Sequence, residues 1–182
     1  MKKRSANWKY VVSRIEELSK SQLIDLIADL HGICPEVSLF LGGRFRTPTG
    51  SLKRYVAKVK KAASVDPMYD KEINWEEAER AIHNYRIASG DNKGIAELRI
   101  IFVDTANQFT LDYGDIGEGY YTSMEEIFQT AVDHLLHMEK ENEPIDDYVL
   151  RLEKIVDSTG GIGWGYHDSL CERYHEAFVN NR

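Results

Sequence analysis

Cysteine is nearly absent from this chain: only Cys34 and Cys171 occur, with neither the spacing of a disulfide framework nor that of a paired zinc motif. They read as free thiols in a reducing cytoplasm. Four prolines and thirteen glycines in 182 residues leave no room for a long disordered tract. No apolar run approaches a membrane span, and none of signal-peptide length follows the basic start Met1-Lys2-Lys3-Arg4. The expectation is a cytoplasmic protein with no membrane partner. Alternating strand patterns are also scarce. The one short β-like run, Ile100-Ile101-Phe102-Val103, sits inside a longer helical pattern. No G-x-S-x-G elbow is present, and no Lys-Ser or Lys-Thr follows a glycine cluster as in a phosphate loop.

What is present is a globular composition, with 42% hydrophobic and 29% charged residues. The length is most simply one domain, residues 1–182. Net charge is −7 but unevenly spread: residues 1–63 hold 13 Lys/Arg against 5 Asp/Glu, a balance of +8. Residues 64–182 hold 10 against 25, a balance of −15. A weak break near residues 64–73 divides a basic N-terminal lobe, 1–63, from an acidic helical lobe, 74–182.

Apolar residues recur at helical spacing almost throughout, which predicts an all-α fold of about nine helices. Trp8, Val11, Val12, Ile15 and Leu18 form a first stripe. Ser19 and Gln22 have capping-box spacing before Leu23, Leu26, Ile27 and Leu30, with Gly32 a plausible stop. Pro35 opens a third helix that Gly42-Gly43 should end. Leu52, Tyr55, Val56 and Val59 mark a fourth, and Asn74 caps a fifth. A sixth runs through Ile95, Leu98, Phe102 and Phe109. Thr122 and Glu125 read as a second capping box, opening a seventh helix with Phe128, Leu135 and Met138. Pro144 begins an eighth, and the last begins near Gly165. Short connections imply antiparallel hairpins, arranged as a bundle or a short superhelical array.

Four stretches carry a family resemblance: Leu18-Ser19-Lys20-Ser21-Gln22-Leu23-Ile24-Asp25-Leu26, Gly50-Ser51-Leu52-Lys53-Arg54-Tyr55, Asp112-Tyr113-Gly114-Asp115, and Gly161 to Asp168. Together they resemble an uncharacterised bacterial family of all-helical cytoplasmic proteins, a domain of unknown function. The resemblance implies an all-α fold over nearly the whole chain. It implies no activity and no catalytic residues.

Several residues could carry chemistry. In Gly163-Trp164-Gly165-Tyr166-His167-Asp168, glycines permit close approach, Trp164 and Tyr166 could wall a pocket, and His167 with Asp168 could supply a base and its partner. The opposing reading buries Trp164 as a core anchor and leaves Asp168 at a helix N-terminus, where the dipole favours an anion. The run Asp112-Tyr113-Gly114-Asp115-Ile116-Gly117-Glu118-Gly119 offers three carboxylates and three glycines that could suggest calcium, but in poor register for an EF-hand, against the plainer reading of a helix end and an Asp/Gly turn in which Tyr113 could line a pocket. Antiparallel packing should bring it near the Trp164–Asp168 loop, where Asp112 or Asp115 would orient His167 and raise its pKa. His167, Cys171 and His175 lie four apart, and His134 and His137 three apart. Neither set is completed to a zinc site, so no metal and no cofactor is expected. Arg44, Arg46, Lys53, Arg54, Lys58, Lys60 and Lys61 form a basic patch suited to tracking phosphates, beside Phe45 and Tyr55.

These features favour a small interaction or adaptor protein over an enzyme, with a protein partner bound in a groove between helices. The rival readings are an enzyme or small-ligand binder at the two glycine-rich turns, and a nucleic-acid accessory protein using the basic lobe.

Overall fold

The structure is a computed structural model and describes residues 6–45, 52–64, 73–114 and 116–180. Among the described residues there are nine α-helices and no strand. Capping residues set several boundaries. Helix α1 spans Ala6–Glu16 and α2 spans Lys20–Ile33. Both halves of the Ser19 capping box form: Gln22 N–H donates to Ser19 Oγ at 3.3 Å, and Ser19 N–H to Gln22 Oε1 at 2.8 Å. Helix α2 runs through Gly32, which is no stop. Pro35 begins α3, Pro35–Arg44. Gly42 and Gly43 lie buried inside that helix rather than ending it.

Helix α4 spans Leu52–Ala63 and α5 spans Trp75–Ser89, the latter capped by Asn74 through a 2.9 Å bond from Glu77 N–H. Gly90 closes α5 in the left-handed region at φ 62°. Helix α6, Asn92–Tyr113, absorbs the Ile100–Val103 run, which is buried. An apolar run covered on several sides has no strand requirement. Helix α7 spans Glu118–Lys140, so Thr122 lies inside it and caps nothing. Its hydroxyl and that of Ser123 donate to the carbonyls of Glu118 and Gly119 four residues back. Helices α8 and α9 span Asp146–Ser158 and Tyr166–Phe178.

One core cluster runs from Leu39 of α3 to Phe178 of α9. Helix α6 is its axis, packing on α4, α5, α7 and α8. Helices α4 and α5 are antiparallel: Tyr55, early in α4, meets Tyr85, late in α5, edge-on at 5.0 Å.

The last four helices depart from simple succession. Helices α6 and α7 form one antiparallel hairpin, α8 and α9 another. The hairpins lie side by side in the same sense, α8 beside α6 and α9 beside α7. Arg151 of α8 reaches Glu97, early in α6, at 2.5 and 3.2 Å. Arg173 of α9 reaches Gln129 of α7 at 2.9 Å. Consecutive α7 and α8 therefore sit across the bundle's diagonal. The α6–α7 and α8–α9 turns consequently share one end of the bundle.

Helices α1 and α2 stand apart from this pattern. None of the side chains described in them is buried. Their apolar stripes, which read in the sequence as core faces, look outward.

Candidate functional site

The shared end of the bundle gathers polar side chains around an aromatic floor. Tyr166, at the start of α9, is fully buried and lies 5.0 Å from the Tyr121 ring at the start of α7. Its hydroxyl donates to Asn107 Oδ1 of α6 at 3.3 Å. Asn107 is buried and passes the connection on, donating from Nδ2 to Ser158 Oγ at 3.0 Å. Burial drives the Tyr166 phenol far above its ordinary range, so it stays a donor.

Beside this network stands a relay of three side chains. Thr159 is fully buried, and its hydroxyl proton goes to Val156 O at 2.6 Å. The Thr159 oxygen is then an acceptor for His167 Nδ1, 2.8 Å away. That assigns the proton to Nδ1 and leaves Nε2 bare, 3.4 Å from Cys171 Sγ. Burial raises the Cys171 pKa, with Asp168 and Asp157 adding to the shift. The thiol therefore stays protonated and donates toward the imidazole. This arrangement holds a proton in place; it does not build a thiolate nucleophile.

The two turns lie at one end of the bundle, and among the described residues Thr159, not Asp112, bonds the His167 imidazole. Asp112 is exposed and accepts from Gln108 Nε2 of its own helix at 2.7 Å. Asp115 lies outside the described residues. Among the described residues Thr159 takes the orienting role. Asp168 is exposed in the first turn of α9, the position that suits an anion by the helix dipole. Tyr113 is exposed and stacks at 4.9 Å on Phe109.

Trp164 corrects the expectation of a buried anchor: it is 58% exposed, with φ at 62°. The left-handed backbone at Trp164 and Gly165 turns the chain so that Tyr166, two residues on, takes the core position instead. The three proposed pocket residues thus divide between the surface, Tyr113 and Trp164, and the interior, Tyr166.

Asn107, Ser158 and Thr159 were missed from the sequence. Their signal was polar residues falling at apolar-stripe positions of α6 and just past the end of the α8 stripe. Asn107 and Ser158 also line a cleft of about 270 Å³ between α6 and α8, with Asp104, Arg151 and Lys154 at its edge.

No group of three or more histidine, cysteine or acidic side chains converges for a metal among the described residues. His134 Nε2 donates to Asn92 O at 2.9 Å, and His175 Nδ1 to Cys171 O at 2.7 Å.

The basic patch is real but divided. Arg44 donates to Ile87 O at 2.8 Å and lies over Phe40. Arg46 lies outside the described residues. The exposed side chains of Lys53, Arg54, Lys60 and Lys61 make no hydrogen bond or ion pair among the described residues, and Lys58 is half-buried.

Comparison with protein-family models, curated proteins and solved structures gives no match. No helix among the described residues is long and apolar enough to cross a membrane.

Proposed function

We propose that this chain is a helical interaction protein that engages another polypeptide through α1 and α2. The observation that carries this reading is the outward apolar face of those two helices. Eight of the sixteen large apolar side chains exposed among the described residues fall on them. An amphipathic helix in a globular protein turns its stripe to a core, and this stripe is exposed among the described residues. Helices of 11 and 14 residues are also at the margin of stability in water, since isolated helices shorter than about 12–15 residues rarely persist. Cover from a partner would stabilise both. The α3–α9 body serves as the carrier, and no chemistry is required of it. We also propose kinship with the helical domain-of-unknown-function family, on the Leu18–Leu26, Gly50–Tyr55, Asp112–Asp115 and Gly161–Asp168 stretches.

A photo-crosslinking residue at Ile27 tests the reading in cells. Discrete protein adducts should form there and not with the same label at Glu172 on α9. No adduct at Ile27 or at Leu30 removes the reading.

The unpaired cations of α4 support a second reading, polyanion binding. The helix holds five cations and no acid. Titration of mixed-sequence RNA and DNA tests it: affinity should fall steeply with salt as counterions are released. Absence of binding at low salt removes it.

A further inference from the structure

We propose that α4 lies over the minor groove of double-stranded DNA, with one row of its cations on each phosphate strand. The proposal rests on the polyanion reading above and names the polymer, its form and the contact face.

The helical repeat sets the rows. Residues seven apart return to nearly the same side of an α-helix, about 10.5 Å along its axis. Lys53 and Lys60 therefore make one row, and Arg54 and Lys61 a second, about 100° around the helix. All four are exposed and make no hydrogen bond or ion pair among the described residues. Ala57 sits between the rows and is also exposed, so nothing bulky holds a phosphate backbone away. The opposite side of the helix, Tyr55, Val59, Ala62 and Ala63, is buried in the core. Lys53 shares a hollow with Lys93, Asp91 and Glu97. Both carboxylates there are engaged, Asp91 by the Tyr85 hydroxyl and Glu97 by Arg151, whereas Lys93 makes no ion pair among the described residues.

What the face lacks selects among polyanions. Tyr55 is the one aromatic residue of α4 and it is buried, so no ring on this helix stands ready to stack an unpaired base. No large apolar side chain of α4 is exposed to enter a bilayer or to anchor a protein interface. The contacts left to the face are with phosphate, and two rows need two lines of phosphate. On a helix about 10–12 Å across, side chains 100° apart leave the surface about 8 Å from each other. The strands bordering the minor groove of B-DNA stand about 6 Å apart, and those of the major groove about 12 Å. The helix is too wide to enter the minor groove and lies over it, its flexible cations reaching one bank each. A single strand offers one line of phosphate and leaves one row idle.

Fluorescence anisotropy of the full chain with a labelled mixed-sequence duplex of about 20 base pairs tests the proposal. The log–log slope of affinity against salt should be about −3.6, from four phosphate contacts at about 0.9 each. Lys53→Gln with Lys60→Gln, and separately Arg54→Gln with Lys61→Gln, should each bring the slope to about −1.8 and weaken binding at least about tenfold at low salt. These side chains are exposed, so the helical circular dichroism should not change. Lys20→Gln with Lys154→Gln alters net charge equally on other helices and should leave the slope alone. An α4 pair that leaves the slope unchanged overturns the proposal, and so does a control that lowers it as far. Single-stranded DNA bound as tightly as the duplex overturns the two-row seating and leaves the polyanion reading standing. Tighter binding to duplex RNA, whose minor groove is wide, does the same. No nucleic-acid binding at low salt ends both, and capture by anionic lipid vesicles in its place would make a lipid surface the partner.

Discussion

The Tyr85 hydroxyl donates to Asp91 Oδ2 at 2.6 Å, and the bond fits only because residue 94 has no side chain. A Cβ built at Gly94 would stand 2.3 Å from Tyr85 Oη and 2.6 Å from Asp91 Oδ2. Tyr85 is buried against Tyr55 and has nowhere to retreat. Gly94→Ala should therefore lower stability, although alanine is the better helix former by about 1 kcal/mol. The clash costs about 1–3 kcal/mol, the range of over-packed cores. Gly119→Ala is the control: nothing lies within 4 Å of its Cβ position, so the change should be neutral or slightly stabilising. Denaturant midpoints of the two variants check this.

The touching pair Tyr55 and Tyr85 should respond oppositely to loss of the hydroxyl. Among the described residues the Tyr55 hydroxyl is buried without a hydrogen-bond partner. Tyr55→Phe removes a desolvated group and should be neutral or stabilising. Tyr85→Phe removes a bond to a carboxylate and should cost about 1.5–3 kcal/mol. The Tyr85 pKa is pushed up to about 12 by burial, by its bond to Asp91 and by the Asp91 charge. Its folded value lies above the unfolded value, so its contribution is complete below about pH 10 and is lost as pH rises toward 12. The stability difference between wild type and Tyr85→Phe should shrink over that window.

His134 should govern part of the acid limb. Burial lowers its pKa below the ordinary 6.5, outweighing its bond to Asn92 O. The folded protein then resists protonation more than the unfolded chain does. Its contribution is complete above pH 6.5 and declines as pH falls through the folded value. His134→Gln, which keeps a donor but does not titrate, should flatten the stability–pH slope just below 6.5. An unchanged slope by urea titration would contradict the assignment.

Cys171 should react with iodoacetamide faster when Asp168 is neutralised. Burial is the larger cause of its raised pKa, and the Asp168 charge the next. In a Cys34→Ser background, Asp168→Asn should move the pH profile of alkylation to lower pH, and Thr159→Val should also shift it by freeing His167 to turn.

Trp164→Ala should cost well below the roughly 3–5 kcal/mol of a buried aromatic truncation, because the ring is 58% exposed. Chemical denaturation measures it directly.

Periodicity and caps made much of the fold legible. Asn74, Ser19 and Pro35 mark their helix starts because each acts through bonds within three or four residues. The Thr122 box failed for the same local reason: its hydroxyl can bond backward inside a helix as readily as cap one. Stripe arguments found the faces of α4 to α9, but period alone cannot say what covers a face, and so the α1 and α2 stripes read as core. At the shared turns, proximity followed from hairpin geometry. The partner of His167 did not, since choosing Thr159 over Asp112 depends on a hydroxyl at the very end of α8 and on the side-by-side placement of the two hairpins. Trp164 misled because flanking glycines permit a left-handed turn as easily as a buried ring.

The diagonal step from α7 to α8 has a kinetic meaning. Within each hairpin, partners are close along the chain and can find one another early. The seam between hairpins joins Asn107 to Tyr166, Glu97 to Arg151 and Gln129 to Arg173, pairs 44 to 59 positions apart. Such distant pairs carry the larger closure entropy and close late. The molecule is in this sense two ready-made halves and a slow zipper, and the polar network at their common end is the fastening that records that the zipper has shut.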